Sequence, residues 1–141
     1  MRVLGLVAFV ACLAGGPAMA QDINFGDDSG EWANDGECDD PRFIGPGMTE
    51  TVLLSSDVLR DASDCRTFFN AGQLTLRGVA ADGTIDFGDD SSEWARDGEC
   101  DDMRFAGPGM TLTPLLFEDV MTDATDCRNA FDAGLLTLAG Q

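Results

Sequence analysis

Between residues 27 and 40 the chain reads Asp-Asp-Ser-Gly-Glu-Trp-Ala-Asn-Asp-Gly-Glu-Cys-Asp-Asp. Seven carboxylates (Asp27, Asp28, Glu31, Asp35, Glu37, Asp39 and Asp40) thus fall within 14 residues. All seven recur 62 residues later as Asp89, Asp90, Glu93, Asp97, Glu99, Asp101 and Asp102. Two carboxylates about 4 Å apart repel by about 1 kcal/mol in water and about 4 kcal/mol at an effective dielectric of 20. Folding seven of them beside a tryptophan and a cysteine therefore calls for a counter-ion. Only oxygen donors are on offer, which disfavours zinc and copper and favours calcium, with magnesium, manganese or a lanthanide as hard-ion alternatives. The expected ligands are Asp28, Glu31, Asp35 and Asp39 with Asp90, Glu93, Asp97 and Asp101, supplemented by Asp27, Glu37, Asp40, Asp89, Glu99 and Asp102. Gly36 and Gly98 allow the sharp turn that aims oxygens inward. The alternative is a solvated acidic loop that only confers solubility.

Absent residue types narrow the chemistry further. The 141 residues include no His, and the 8 basic residues are all Arg. Imidazole-based triads and proton shuttles are excluded, as are lysine Schiff bases and a phosphate-binding P-loop lysine. A formal charge of -18 repels nucleic acid and anionic lipid, both of which are bound through clustered cations. Two other functions are compatible with so many acids: a carboxylate-based, glycan-type hydrolase, and an acidic inhibitor or chaperone of a cationic partner that uses no metal. The expectation is a non-enzymatic binding module whose partner is another exported protein. None of the acids lies in an evidently apolar stretch that would raise its pKa.

The calcium-binding EF-hand pattern does not fit, since Gly36 at loop position six puts Ala33 at position three and Arg42 at position twelve. The stretch Trp32-Ala-Asn-Asp35-Gly36-Glu37-Cys38-Asp39 instead resembles the calcium box of low-density-lipoprotein-receptor class A modules. That resemblance covers about ten residues per repeat and implies backbone ligands from Trp32 and Trp94. Those modules carry six cysteines and place their Ser-Asp-Glu acids after the box, whereas Asp89-Asp90-Ser91-Ser92-Glu93 precedes it here. The whole block is also similar to Gly-Asp-Asp-Ser-Ser-x-Trp-Ala-x-Asp-Gly-Glu-Cys-Asp-Asp-x-Arg-Phe segments of exported alphaproteobacterial proteins, which implies a bacterial origin.

The elements that must hold these loops follow from a duplication. Ile23–Gly78 aligns without a gap on Ile85–Gly140, with 39 of 56 positions identical, and Phe25–Phe43 differs at only 3 of 19. Both tryptophans and four cysteines superimpose. The organisation expected is a leader at 1–20, repeat one at 22–78, a turn at 79–84 and repeat two at 85–140. Met1-Arg2, the apolar run Val3–Ala14 and Ala18-Met19-Ala20 have the pattern of a secretory signal peptide, so the protein is expected in the periplasm or outside the cell. Lipidation at Cys12 is the alternative. Export favours oxidised cysteines, and repeat symmetry selects Cys38–Cys65 and Cys100–Cys127.

Each repeat is expected to be α+β: small, loop-rich, with one short helix, short strands and one disulfide. Asp61 reads as a helix N-cap, Ala62, Cys65 and Phe69 share a face, and Gly72 sits where a left-handed C-terminal cap belongs. Asp123, Ala124, Cys127, Phe131 and Gly134 repeat the pattern. Leu74–Leu76 and Ile85–Phe87 read as strands that join the repeats in a hairpin around Ala81-Asp82-Gly83. Trp32 and Trp94 are expected as core anchors, Phe43 and Phe105 as inward-packed, and Arg42, Arg104, Arg66 and Arg128 as partners for the surplus acids.

Overall fold

A computed structural model describes residues 23–141; the expected leader and Cys12 lie outside the described residues. The two halves have the same small α+β architecture. Repeat one contains β1 (Phe43–Ile44), a single 3₁₀ turn (Ser55–Asp57), α1 (Ala62–Asn70) and β2 (Thr75–Leu76). Repeat two contains β3 (Phe105–Ala106), a 3₁₀ turn (Phe117–Asp119), α2 (Ala124–Asp132) and β4 (Thr137–Leu138). Each strand pair is antiparallel, with Phe43 opposite Leu76 and Phe105 opposite Leu138.

So little regular structure needs other fastening, and three devices supply it. Disulfides Cys38–Cys65 and Cys100–Cys127 tie each acidic loop to its helix. A phenylalanine triad fills each core. Phe25 stacks on Phe43 at 5.5 Å and Phe69 meets both edge-on, while Phe87, Phe105 and Phe131 repeat the arrangement. The third device is a buried guanidinium in each half. Arg42 grips both oxygens of Asp40 through Nε and Nη2, and Arg104 grips Asp102 in the same way. These arginines pair with acids as the sequence suggested, but in the core rather than at the surface.

The remaining donor of each guanidinium joins the halves. Arg42 Nη1 donates to the carbonyls of Asn24 and Ala139, and Arg104 Nη1 to those of Asp86 and Arg77. Asn24 N bonds Gly140 O just as Asp86 N bonds Gly78 O. The two repeats are thus related by a pseudo-two-fold arrangement in which each end segment docks on the other half. Gly78 and Gly140 have φ of 66° and 84°, and a Cβ on either would strike the Arg104 or Arg42 guanidinium.

Three expectations are corrected. The joining hairpin shrinks to one bridge, Val79 with Ile85, because Thr75–Leu76 pairs with β1, whose Phe43 must be buried. Arg66 and Arg128 form no ion pair among the described residues, although the charge of Arg66 bears on Asp28; each lies over an aromatic face, Phe25 at 5.2 Å and Phe87 at 4.7 Å. Trp32 and Trp94 are not core anchors. Each is 49% exposed, because the phenylalanine triads already fill the cores and the tryptophans sit in the turns of the acidic loops.

Candidate cation centre

The disulfide brings the acidic loop over the N-terminal end of the helix, and the helix supplies acids of its own. Asp39 N donates to Asp61 Oδ2 at 2.8 Å, and Gly36 N donates to Asp64 Oδ2 at 3.0 Å. Repeat two makes the same bonds from Asp101 to Asp123 and from Gly98 to Asp126. Asp61 occupies the N-cap position yet makes no capping bond, since its side chain is turned to the loop. Capping falls to Asp28, whose two oxygens accept from Ser63 N and Oγ. Gly36 and Gly98, at φ of 97° and 100°, provide the expected turn.

The group so formed is both buried and unbalanced. Asp39 Oδ2, Asp61 Oδ1, Asp101 Oδ2 and Asp123 Oδ1 are buried with no hydrogen-bond partner. Burial pushes Asp39 up to about 6, and the charges of Asp35, Asp57 and Glu37 add to the effect. Burial, then Asp64, Asp39 and Asp35, raises Asp61 to about 6. Asp101 rises to about 6 and Asp123 to about 7 for the same reasons. The view that no acid lies in a pKa-raising setting is therefore wrong, because the apolar surroundings come from the disulfide and the packed core rather than from neighbours in sequence. A buried oxygen of this kind needs either a proton or a cation.

The sulfurs at this spot are committed elsewhere. Donor atoms of Cys38, Asp61 and Cys65 lie within 4.8 Å of one another, as do those of Cys100, Asp123 and Cys127. Each pair of sulfurs is a disulfide, which lacks the thiolate charge that makes cysteine a metal ligand. Among the described residues these two Cys/Asp/Cys groups are the ones whose donor atoms lie together so that they could hold a metal, and with their sulfurs bonded to each other each offers one carboxylate, Asp61 or Asp123. An all-oxygen donor set is the chemistry of hard cations.

The structure divides the acids named from the sequence. Asp39 and Asp101 lie in the group through their bonds to Asp61 and Asp123, and the charges of Asp35 and Glu37, or of Asp97 and Glu99, bear on them. Glu99 also accepts from Thr111 Oγ1. Glu31 and Glu93 are exposed, and the charge of Glu31 bears on Asp57. The others are engaged away from it. Asp28 and Asp90 cap helices through Ser63 and Thr125, Asp27 and Asp89 accept from Ser29 and Ser91, and Asp40 and Asp102 hold the buried arginines. Asp57, Asp61 and Asp64 with Asp119, Asp123 and Asp126 were not among the sequence candidates. Their identity in both repeats was the available signal, masked by the ordinary occurrence of acids at helix starts.

Trp32 stands beside this group. A surface depression of about 310 Å³ is lined by Trp32, Asp35, Glu37, Asp39, Thr49 and Leu54, among others. No helix of the described residues is long and apolar enough to cross a membrane. Compared with protein-family models, curated proteins and solved structures, the chain matches none.

Proposed function

We propose that the protein is an exported module that binds one hard cation per repeat, calcium foremost, to order its acidic loops for contact with another exported protein. The observation that supports this reading is the set of buried, unpartnered carboxylate oxygens of Asp39 and Asp61 and of Asp101 and Asp123. A cation would supply the positive partner that these oxygens lack. The charges of Asp35, Glu37 and Asp57 bear on Asp39, and those of Asp97, Glu99 and Asp119 on Asp101, which makes these the carboxylates such an ion would recruit. Calcium's tolerance for six to eight oxygens at irregular angles suits a site built from a loop and a helix start. Magnesium, with its stricter octahedron, suits it less. Export is supported by the two disulfides, which persist in oxidising compartments.

The binding function is favoured over hydrolysis by the same burial. Of the raised carboxyls, Asp61 and Asp123 are only 2% and 1% exposed, beyond the reach of a glycan. Calorimetry with calcium tests the reading. Two sites per chain with Kd on the order of 10⁻⁴ to 10⁻³ M are expected, typical of extracellular modules. Terbium should give luminescence sensitised by Trp32 and Trp94. Absence of heat at millimolar calcium, with a melting temperature indifferent to chelator, would dispose of it.

A further inference from the structure

Three of the large apolar side chains that the fold leaves exposed, Val52, Leu54 and Leu116, line one cleft between the repeats. An open cleft of about 520 Å³ has residues 52–56 on one wall and 115–118 on the other. Val52 is 78% exposed, Leu54 47% and Leu116 46%, so the cleft is apolar although it faces solvent. It shares Val52 and Leu54 with the depression that holds Trp32 and the acids Asp35, Glu37 and Asp39. An aromatic ring, an aliphatic trough and carboxylates are therefore contiguous. Half-exposed tryptophan beside exposed leucine is the composition of a protein-binding centre rather than of an ordinary surface.

Charge decides what fits there. Glu118 lines the cleft, Asp35 and Glu37 line the adjoining depression, and all three are exposed. Arg77, 5.0 Å from the centroid of the Phe117 ring in this wall, is committed to the carbonyls of Pro41 and Phe43. A second copy of this chain would bring a further formal charge of -18 to the same place, so self-association through the cleft is opposed. We infer that the cleft between Val52–Leu54 and Leu116–Phe117, with Trp32 at its rim, docks a cationic amphipathic segment of a partner protein. Aliphatic or aromatic side chains of that segment enter the trough while its Lys or Arg residues meet these carboxylates. This goes beyond cation binding and does not depend on it, because two bound calcium ions would still leave the protein strongly negative.

The test titrates the protein with a synthetic Leu/Lys amphipathic peptide and with Leu/Glu and Ser/Lys counterparts, following tryptophan emission and heat. Trp32 and Trp94 are the only tryptophans, so the emission reports on the loops. The Leu/Lys peptide is expected to saturate with a blue shift, and each counterpart to bind at least about tenfold more weakly. Replacing Leu54→Ser together with Leu116→Ser should weaken the Leu/Lys peptide by a similar factor while calcium binding stays intact. Equal binding of the Ser/Lys peptide would show mere charge attraction and overturn the proposal. So would equal binding by the Leu/Glu peptide, an unaffected double variant, or tight binding of a neutral oligosaccharide in place of the peptide. The calcium titration of the same variants reports separately on the cation sites.

Discussion

Arg42 donates a hydrogen bond to the carbonyl of Ala139, 97 residues away in sequence, at 2.8 Å. The same guanidinium neutralises Asp40, whose Oδ2 also accepts from Leu59 N. One buried cation thus ties together the acidic loop, the turn before α1 and the end of the other repeat. Arg42→Leu would leave Asp40 buried and charged, and is expected to cost about 3–5 kcal/mol in urea unfolding. Arg96→Leu breaks only the exposed pair with Asp90, in which the arginine side chain is 70% exposed, and should cost under about 1 kcal/mol.

Asp39→Asn combined with Asp101→Asn separates the cost of the acidic group from its use. Amides in place of the carboxylates remove negative charge from the group, so in chelator the variant should melt no lower than the parent in scanning calorimetry. In calcium at about 100 times Kd, the parent gains about 2.7 kcal/mol per occupied site. The variant should lose that gain at both sites. A variant that is destabilised in chelator yet still responds fully to calcium would point to a purely structural role.

A pH profile of the chelated protein carries a sign opposite to the usual one for carboxylates. Asp39, Asp61 and Asp101 are held up to about 6 and Asp123 to about 7, against an unfolded value near 3.9. Between about pH 4 and 7 the native state therefore binds more protons than the unfolded one, and stability falls as pH rises through that window. Asp28 and Asp90 act in reverse. Hydrogen bonds from Ser63 and Thr125 hold them low, so their contribution is present above the ordinary carboxylate range and is lost as pH drops below it. The melting temperature in chelator should peak in mild acid, and saturating calcium should abolish the decline on the neutral side. A steady rise from about pH 4.5 to 7 without metal would contradict these shifts.

Legibility in the sequence followed the range of the interactions concerned. The helices, the left-handed Gly72 and Gly134, the disulfide pairing and the inward Phe43 and Phe105 were readable because each rests on nearby residues or on the comparison of two copies. The roles of Asp28 and Asp61 appeared exchanged, since spacing alone cannot show that Asp61 turns toward the loop and leaves Ser63 to be capped by a residue 35 positions earlier. The exposure of Trp32 was hidden for a similar reason. Whether a large aromatic is buried depends on which other rings reach the core first, and three phenylalanines do so here.

The contact of Asn24 N with Gly140 O, 3.3 Å, predicts tolerance of a rearranged connectivity. A circular permutant that joins Gln141 to Ile23 and opens the chain between Ala81 and Gly83 should retain the parent's circular dichroism and both cation sites. The turn that it cuts is held by only a few local bonds, including Gly83 N to Ala80 O and Thr84 N to Asp82 Oδ1. Aggregation of the permutant, or loss of one site, would show that the covalent link at residues 79–84 does more than connect.

That meeting of Asn24 with Gly140 also sets a copy number. Units in an open tandem array contact only their successor, so the array can lengthen by adding another. In this chain the edge that would receive a third unit is already taken by the first, and the Arg42 and Arg104 guanidinium donors that a newcomer would need are occupied. A gene that gained a third copy would have to append it as a separate body or dismantle the existing pair.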